Sequence, residues 1–192
     1  KFKIIDTSTY GIFLIATGKY ISYLNSIILN IKEKLLTNSK KILFITTDNI
    51  SYLEKFNYLC DDNFHIVSNY QICRGFPADT MYRFEYFLNF KDKLFSFGNI
   101  KNIVDLDYLM FMNINLHIKY KLDTLPIKNK NLFFVTHPGI KIGGSEIFDS
   151  IEKRKEVSCY ININNINEED RVYIFGAFNG GKSKPYLSMC EK

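Results

Sequence analysis

The chain has 192 residues, 46% of them apolar, and a formal net charge of +5 at pH 7, enough to bury the core of one domain. Its longest apolar runs, such as "IFLIA", "YLMFM" and "LFFV", fall far short of the ~20 residues that cross a bilayer. Its lysines are scattered among acids without a basic block, which argues against nucleic acid as a partner. Cys60, Cys73, Cys159 and Cys190 have neither metal-ligand spacing nor a disulfide framework and read as reduced thiols.

Short apolar runs alternate with longer amphipathic ones, the pattern of an α/β layer architecture. "YGIFLIAT" (Tyr10 to Thr17) predicts a buried strand that stops at Gly18. Tyr20, Leu24, Ile27, Ile28, Ile31 and Leu35 then follow helical spacing. "KILFITTD" (Lys41 to Asp48) and "FHIVS" (Phe64 to Ser68) predict two further strands. Pro77 to Leu94 opens with Pro and an acid, as a helix start should. Its expected apolar face is Met81, Phe84, Phe87, Leu88 and Leu94. "DYLMFMNIN" (Asp107 to Asn115) and "NLFFVTHPG" are expected strands, and residues 140–169 read as a polar loop or flap. "RVYIFGAF" predicts the last strand, and "SKPYLSMC" the start of a final helix. The outline is Rossmann-like, in a single domain spanning residues 1–192. In open α/β sheets ligands sit beyond the carboxyl ends of the strands.

"GAFNGGKS" (Gly176 to Ser183) satisfies the phosphate-loop pattern of nucleotide hydrolases. A true phosphate loop needs its amides and a helix N-terminus around a polyphosphate, with an acid elsewhere to hold magnesium. Pro185 removes an amide just past Ser183, and strands ending in an acid are scarce. An NTPase therefore stands as a third reading, and the glycines are expected to let the last strand turn tightly.

"FMNIN" puts Asn113 and Asn115 at the end of a buried strand, where residues at i and i+2 face one spot. Hard cations prefer charged oxygens, so two neutral amides suit a phosphate or sugar hydroxyl better than a metal. Asp105 and Asp107 lie at the strand's start, the wrong end for a ligand, and read as solvated strand entry.

Several segments in order, "ATGKY", "TTD", "GFPADTMYRFEYFL", "DYLMFMNINL", "THPG" and "RVYIFGAFNGGKSKPYLSMC", resemble glycosyltransferase family 6. This is the family of histo-blood-group A and B transferases and α-1,3-galactosyltransferases, and the resemblance is closest to its short bacterial members. Phe76 stands where the family usually has Trp, and Asn-x-Asn stands for Asp-x-Asp. The resemblance implies a GT-A fold, a mixed sheet flanked by helices. It also implies transfer, with retention, of galactose or N-acetylgalactosamine from a UDP-sugar to the 3-hydroxyl of a galactose-containing acceptor glycan.

Carried over by position, Ala16, Thr17 and Tyr20 would border the uridine. Asp79, Arg83, Asn113 and Asn115 would contact donor sugar or diphosphate without metal, manganese being the alternative. Phe175, Gly176 and Ala177 would distinguish the donors, with Ala177 favouring galactose over the bulkier N-acetyl sugar. His137 would contact the acceptor. The family's catalytic Glu has no counterpart here and is expected beyond residue 192, so the C-terminal part of the fold is expected to be missing. A second reading follows, a catalytically impaired UDP-sugar or glycan-binding module. Location is expected to be cytoplasmic, as in soluble bacterial or phage-like forms, or the Golgi membrane if an anchor precedes residue 1.

Overall fold

The computed structural model describes residues 7–125, 130–136 and 174–192, with side chains from residue 176 on in the last stretch. The chain divides into two units, Lys1–Phe133 with Ala177–Lys192, and Phe134–Gly176. The first unit holds everything that follows, apart from the end of one strand and the start of another.

Six strands form one mixed, mostly parallel sheet among the described residues. They are β1 (Thr9–Ala16), β2 (Lys40–Thr47), β3 (Phe64–Tyr70), β4 (Tyr108–Met112), β5 (Leu132–Thr136) and β6 (Ile174–Lys182). Their order is β3-β2-β1-β4-β6-β5. β1, β2, β3 and β4 pair in parallel, whereas β6 runs antiparallel to β4.

The continuous apolar runs have a plain cause: both faces of the sheet are covered, so alternate side chains enter two separate cores. Tyr10, Ile12 and Leu14 of β1 join Leu43 and Ile45 of β2 on one face. There they meet α1 (Leu24–Lys34), which buries Leu24, Ile27, Ile28 and Ile31 in helical register. Phe13, Ile42, Phe44, Leu109 and Phe111 point the other way. They pack on α3 (Arg83–Leu88) and α4 (Ser183–Cys190) through Tyr86, Phe87, Tyr186 and Leu187.

A buried lysine ties α1 to the sheet. Lys41 is 3% exposed, and its ammonium donates to the carbonyls of Ile31 (3.1 Å), Lys32 (3.1 Å) and Leu35 (2.6 Å). It thus satisfies the Lys32 and Leu35 carbonyls at the end of α1 and adds to the bond the Leu35 amide makes to the Ile31 carbonyl. Burial, reinforced by the charge of Lys32 and opposed by Asp61, draws its pKa down to about 8.

Two expectations need correction, and a third falls outside what is described. The helix over Pro77 to Leu94 is two short ones, α2 (Ala78–Met81) and α3, parted at Tyr82, whose ψ of 10° is not helical. Of the expected apolar face Phe84, Phe87 and Leu88 do pack on the core, joined by Tyr86 and Phe90, while Met81 and Leu94 are exposed, Leu94 lying beyond the end of α3. Residues 140–169 lie outside the described residues. Finally, Gly180 and Gly181 do not turn the chain: both lie within β6, which runs straight into α4.

That last point removes the phosphate-loop reading. The Gly-Gly-Lys of the pattern is paired strand, with Lys182 opposite Tyr108 and Gly181 opposite Leu109, so no loop exists there to wrap a polyphosphate. The glycines serve close approach instead. A Cβ at Gly180 would lie 2.5 Å from the Leu109 carbonyl oxygen and 2.7 Å from the Phe133 ring, and one at Gly181 2.1 Å from the Asn131 oxygen. Gly180→Ala should therefore lower stability by about 1–3 kcal/mol, the cost of overpacking. A urea midpoint equal to that of the parent chain would refute this account of the motif.

Candidate functional site

The parallel strands place a crevice where the sheet changes direction. From β1 the chain goes outward to β2 and β3, then returns to β4 on the other side of β1. At such a switch point the connections leave in opposite directions and open a cleft beyond the strands' carboxyl ends. A cavity of about 680 Å³ lies there, lined at the end of β1 by Ile15 and Thr17 and at the end of β4 by Phe111. That size is within the usual range for small-molecule sites.

Three segments shape it. The first begins at Gly18, whose φ of +53° lets the chain turn off β1. Its amide donates to both Asp48 carboxylate oxygens, at 3.0 and 3.1 Å, which locks the ends of β1 and β2 together. The 3₁₀ turn Gly18–Tyr23 then delivers Lys19 and Tyr20 to the cavity. The second segment is Asn113 to Asn115. These residues lie past the end of β4, in a turn closed by the Leu116 amide on the Asn113 carbonyl (3.1 Å). Asn113 is anchored from the next strand, its amide donating to the Ala177 carbonyl at 2.8 Å. Both asparagines line the cavity, brought there by a turn rather than by strand alternation.

The third segment is a lip running from Cys73 to Arg83, held by Asp79. That carboxylate is 9% exposed. Its oxygens accept from Thr17 Oγ1 (2.8 Å), Tyr86 OH (3.0 Å) and the amides of Gly75 (3.1 Å) and Arg74 (3.2 Å), with Cys73 Sγ at 3.7 Å. Burial, with the Asp79 hydrogen bond added, pushes the Tyr86 hydroxyl up to about 12, so it remains a donor at neutral pH. Phe76 projects from the lip at 80% exposure while still lining the cavity.

Arg83 is half-buried in the cavity wall. Its Nε donates to the Thr80 carbonyl at 2.8 Å, and its guanidinium lies 5.2 Å from the centre of the Phe111 ring. Burial draws its pKa below the usual guanidinium value, with Tyr186 opposing. It stays a cation all the same, since arginine is effectively always protonated, and partial burial strengthens its field.

The structure thus brings Thr17, Tyr20, Asp79, Arg83, Asn113 and Asn115 around one cavity. Ala16 is not with them: it is fully buried in the core beneath. Ala177 is buried at the back of Asn113, Gly176 belongs to the other unit, and the Phe175 side chain and His137 fall outside what is described. Ile15, Phe111, Thr80 and Cys73 also line the cavity. Nothing in their spacing marked them, because they meet only through tertiary packing. Asp105 and Asp107 are structural: Asp105 accepts from the Lys101 and Asn102 amides, and Asp107 from Thr9. No three metal-binding side chains come together among the described residues, and none of the described helices is long and apolar enough to cross a membrane.

No protein-family model matches the chain. The O-antigen biosynthesis glycosyltransferase WbnI of Escherichia coli is 29% identical to it over 182 residues, which cover 94% of this chain and 69% of that protein. By distant homology the chain is a glycosyltransferase. A glycosyltransferase implies a sugar donor and an acceptor.

The lip's integrity is testable through Asp79. Removing the carboxylate strands buried donors, each worth about 1–3 kcal/mol. Asp79→Ala should therefore cost about 3 kcal/mol or more in urea unfolding, and Asp79→Asn, which keeps one acceptor, clearly less. Equal, small losses for both would show that the carboxylate does not hold the lip.

Proposed function

We propose that the chain is a retaining, metal-independent galactosyltransferase with a GT-A-type fold. It would move galactose from UDP-galactose to the 3-hydroxyl of a galactose-containing acceptor glycan. The observation that carries this reading is the convergence of Arg83, Asn113 and Asn115 with Thr17 and Tyr20 in one cavity at the switch point. A guanidinium matches phosphate oxygens, amides suit phosphate or sugar hydroxyls, and the Tyr20 ring offers a flat apolar surface for a base.

The donor set supports a metal-free mechanism. Among the lining residues the carboxylate is that of Asp79, and both of its oxygens already accept protein hydrogen bonds. As the bond between the sugar's anomeric carbon and the phosphate oxygen breaks, its electron pair leaves with UDP. The acceptor hydroxyl oxygen forms the new bond and its proton passes to water. The developing charge on UDP would fall to Arg83, a fixed cation that needs no reorganisation at the moment of reaction. The relative's part in O-antigen biosynthesis supports a bacterial surface glycan as acceptor.

By the resemblance Ala177 stands at a donor-selecting position where the N-acetyl sugar calls for glycine; it does not line the cavity itself, and its carbonyl holds the Asn113 amide of a residue that does. One methyl near a site is worth about 1–3 kcal/mol, or roughly 10–200-fold in selectivity. UDP-galactose should therefore compete better than UDP-N-acetylgalactosamine, and the reverse order would overturn the galactose assignment. Transfer or donor hydrolysis should persist in EDTA; a collapse that manganese reverses would contradict the metal-free mechanism. UDP-galactose binding without any turnover would instead identify an impaired, sugar-nucleotide-binding form.

A further inference from the structure

Asn179 sits inside "GAFNGGKS", and the loss of the phosphate-loop reading leaves it without a task. It is 4% exposed, and its Oδ1 accepts from the Tyr186 hydroxyl of α4 at 2.8 Å, with Tyr186 itself fully buried. Across the β4–β6 ladder its direct partner is Phe111, so the two side chains share one face of the sheet. Phe111 is the ring beneath the Arg83 guanidinium. A second route joins the same groups. The Tyr186 ring stacks on Phe13 (6.5 Å), Phe13 on Phe87 (4.3 Å), and Phe87 meets Phe111 at 5.4 Å.

We propose that the buried Tyr186–Asn179 hydrogen bond positions Arg83 for a nucleoside diphosphate, acting through the Phe111 ring on which the guanidinium rests. This deepens the proposed function and rests on its assignment of Arg83 to the donor. A polar pair in an aromatic core is not needed for stability, since apolar groups of the same shape serve about as well. What the pair adds is direction: one angle-dependent bond fixes α4 against β6 and so holds Phe111 from its cross-strand side. Arg83 is held at Nε by Thr80, and the Phe111 ring beneath it supports the plane of its guanidinium. Tyr186 and Asn179 are positioning residues, since neither lines the cavity.

The test compares UDP with uridine, which lacks the diphosphate. Calorimetric titration on the full chain should show UDP binding weakened about tenfold by Tyr186→Phe, with uridine binding, followed by ligand-observed NMR, unchanged within twofold. In an Arg83→Ala background Tyr186→Phe should have no further effect on UDP, because coupled groups are not additive. If Tyr186→Phe alone fails to fold, Tyr186→Phe with Asn179→Val removes both polar groups and gives the same reading. Equal losses for UDP and uridine, an effect that survives in Arg83→Ala, or no effect on UDP would each overturn the proposal. A parent chain that binds UDP no better than uridine would instead defeat the assignment of Arg83 to the diphosphate. That outcome is distinct from a parent that prefers UDP yet is indifferent to Tyr186.

Discussion

The Asp79 carboxylate receives hydrogen bonds from Thr17 at the end of β1, from Tyr86 in the aromatic core and from the two amides that begin the lip. These donors belong to three segments: the end of β1, α3 and the start of the lip. A buried carboxylate is tolerated only when its lone pairs are satisfied, so the four contacts must form together. The wall is therefore rigid where it would be used. The Gly18 amide on Asp48 does the same for the neighbouring strand end. With both in place Arg83 follows from α3, and the asparagines from the turn after β4.

This arrangement divides labour between the layers. The sheet, buried on both faces, supplies a fixed edge, and Lys41 fastens α1 to its far side. The aromatic core between sheet and α3 does more than fill space, because its top ring is the floor under the Arg83 guanidinium, which lines the cavity along with Lys19. Neutral amides and one guanidinium then face the open volume while the one acid is turned inward. A site so built attracts anionic oxygen by geometry and charge.

Much of this was legible in the sequence, and the reasons differ by element. β1, β2 and β4 showed through because strands buried on both faces read as unbroken apolar runs. The helix over 77–94 was drawn too long: it breaks at the non-helical Tyr82 and ends at Leu88, so Phe84, Phe87 and Leu88 face the core as expected whereas Leu94 does not. Asn113 and Asn115 were rightly paired in space but through a turn rather than a strand. "GAFNGGKS" misled because a pattern of letters does not encode strand direction: the same glycines serve a loop after a parallel strand or close packing within an antiparallel one. Asp79 was expected near the donor, yet its partners Thr17 and Tyr86 were hidden, since Thr17 lies 62 residues away in the chain.

The central claim, that a nucleotide sits at the β1/β4 switch point, is tested most directly by hydrogen exchange with and without saturating UDP. Protection should appear in Thr17–Tyr20, in Gly75–Arg83 and in Asn113–Asn115, and not around Lys182–Lys184 at the opposite end of the sheet. Protection confined to Lys182–Lys184, or none anywhere, would contradict the account.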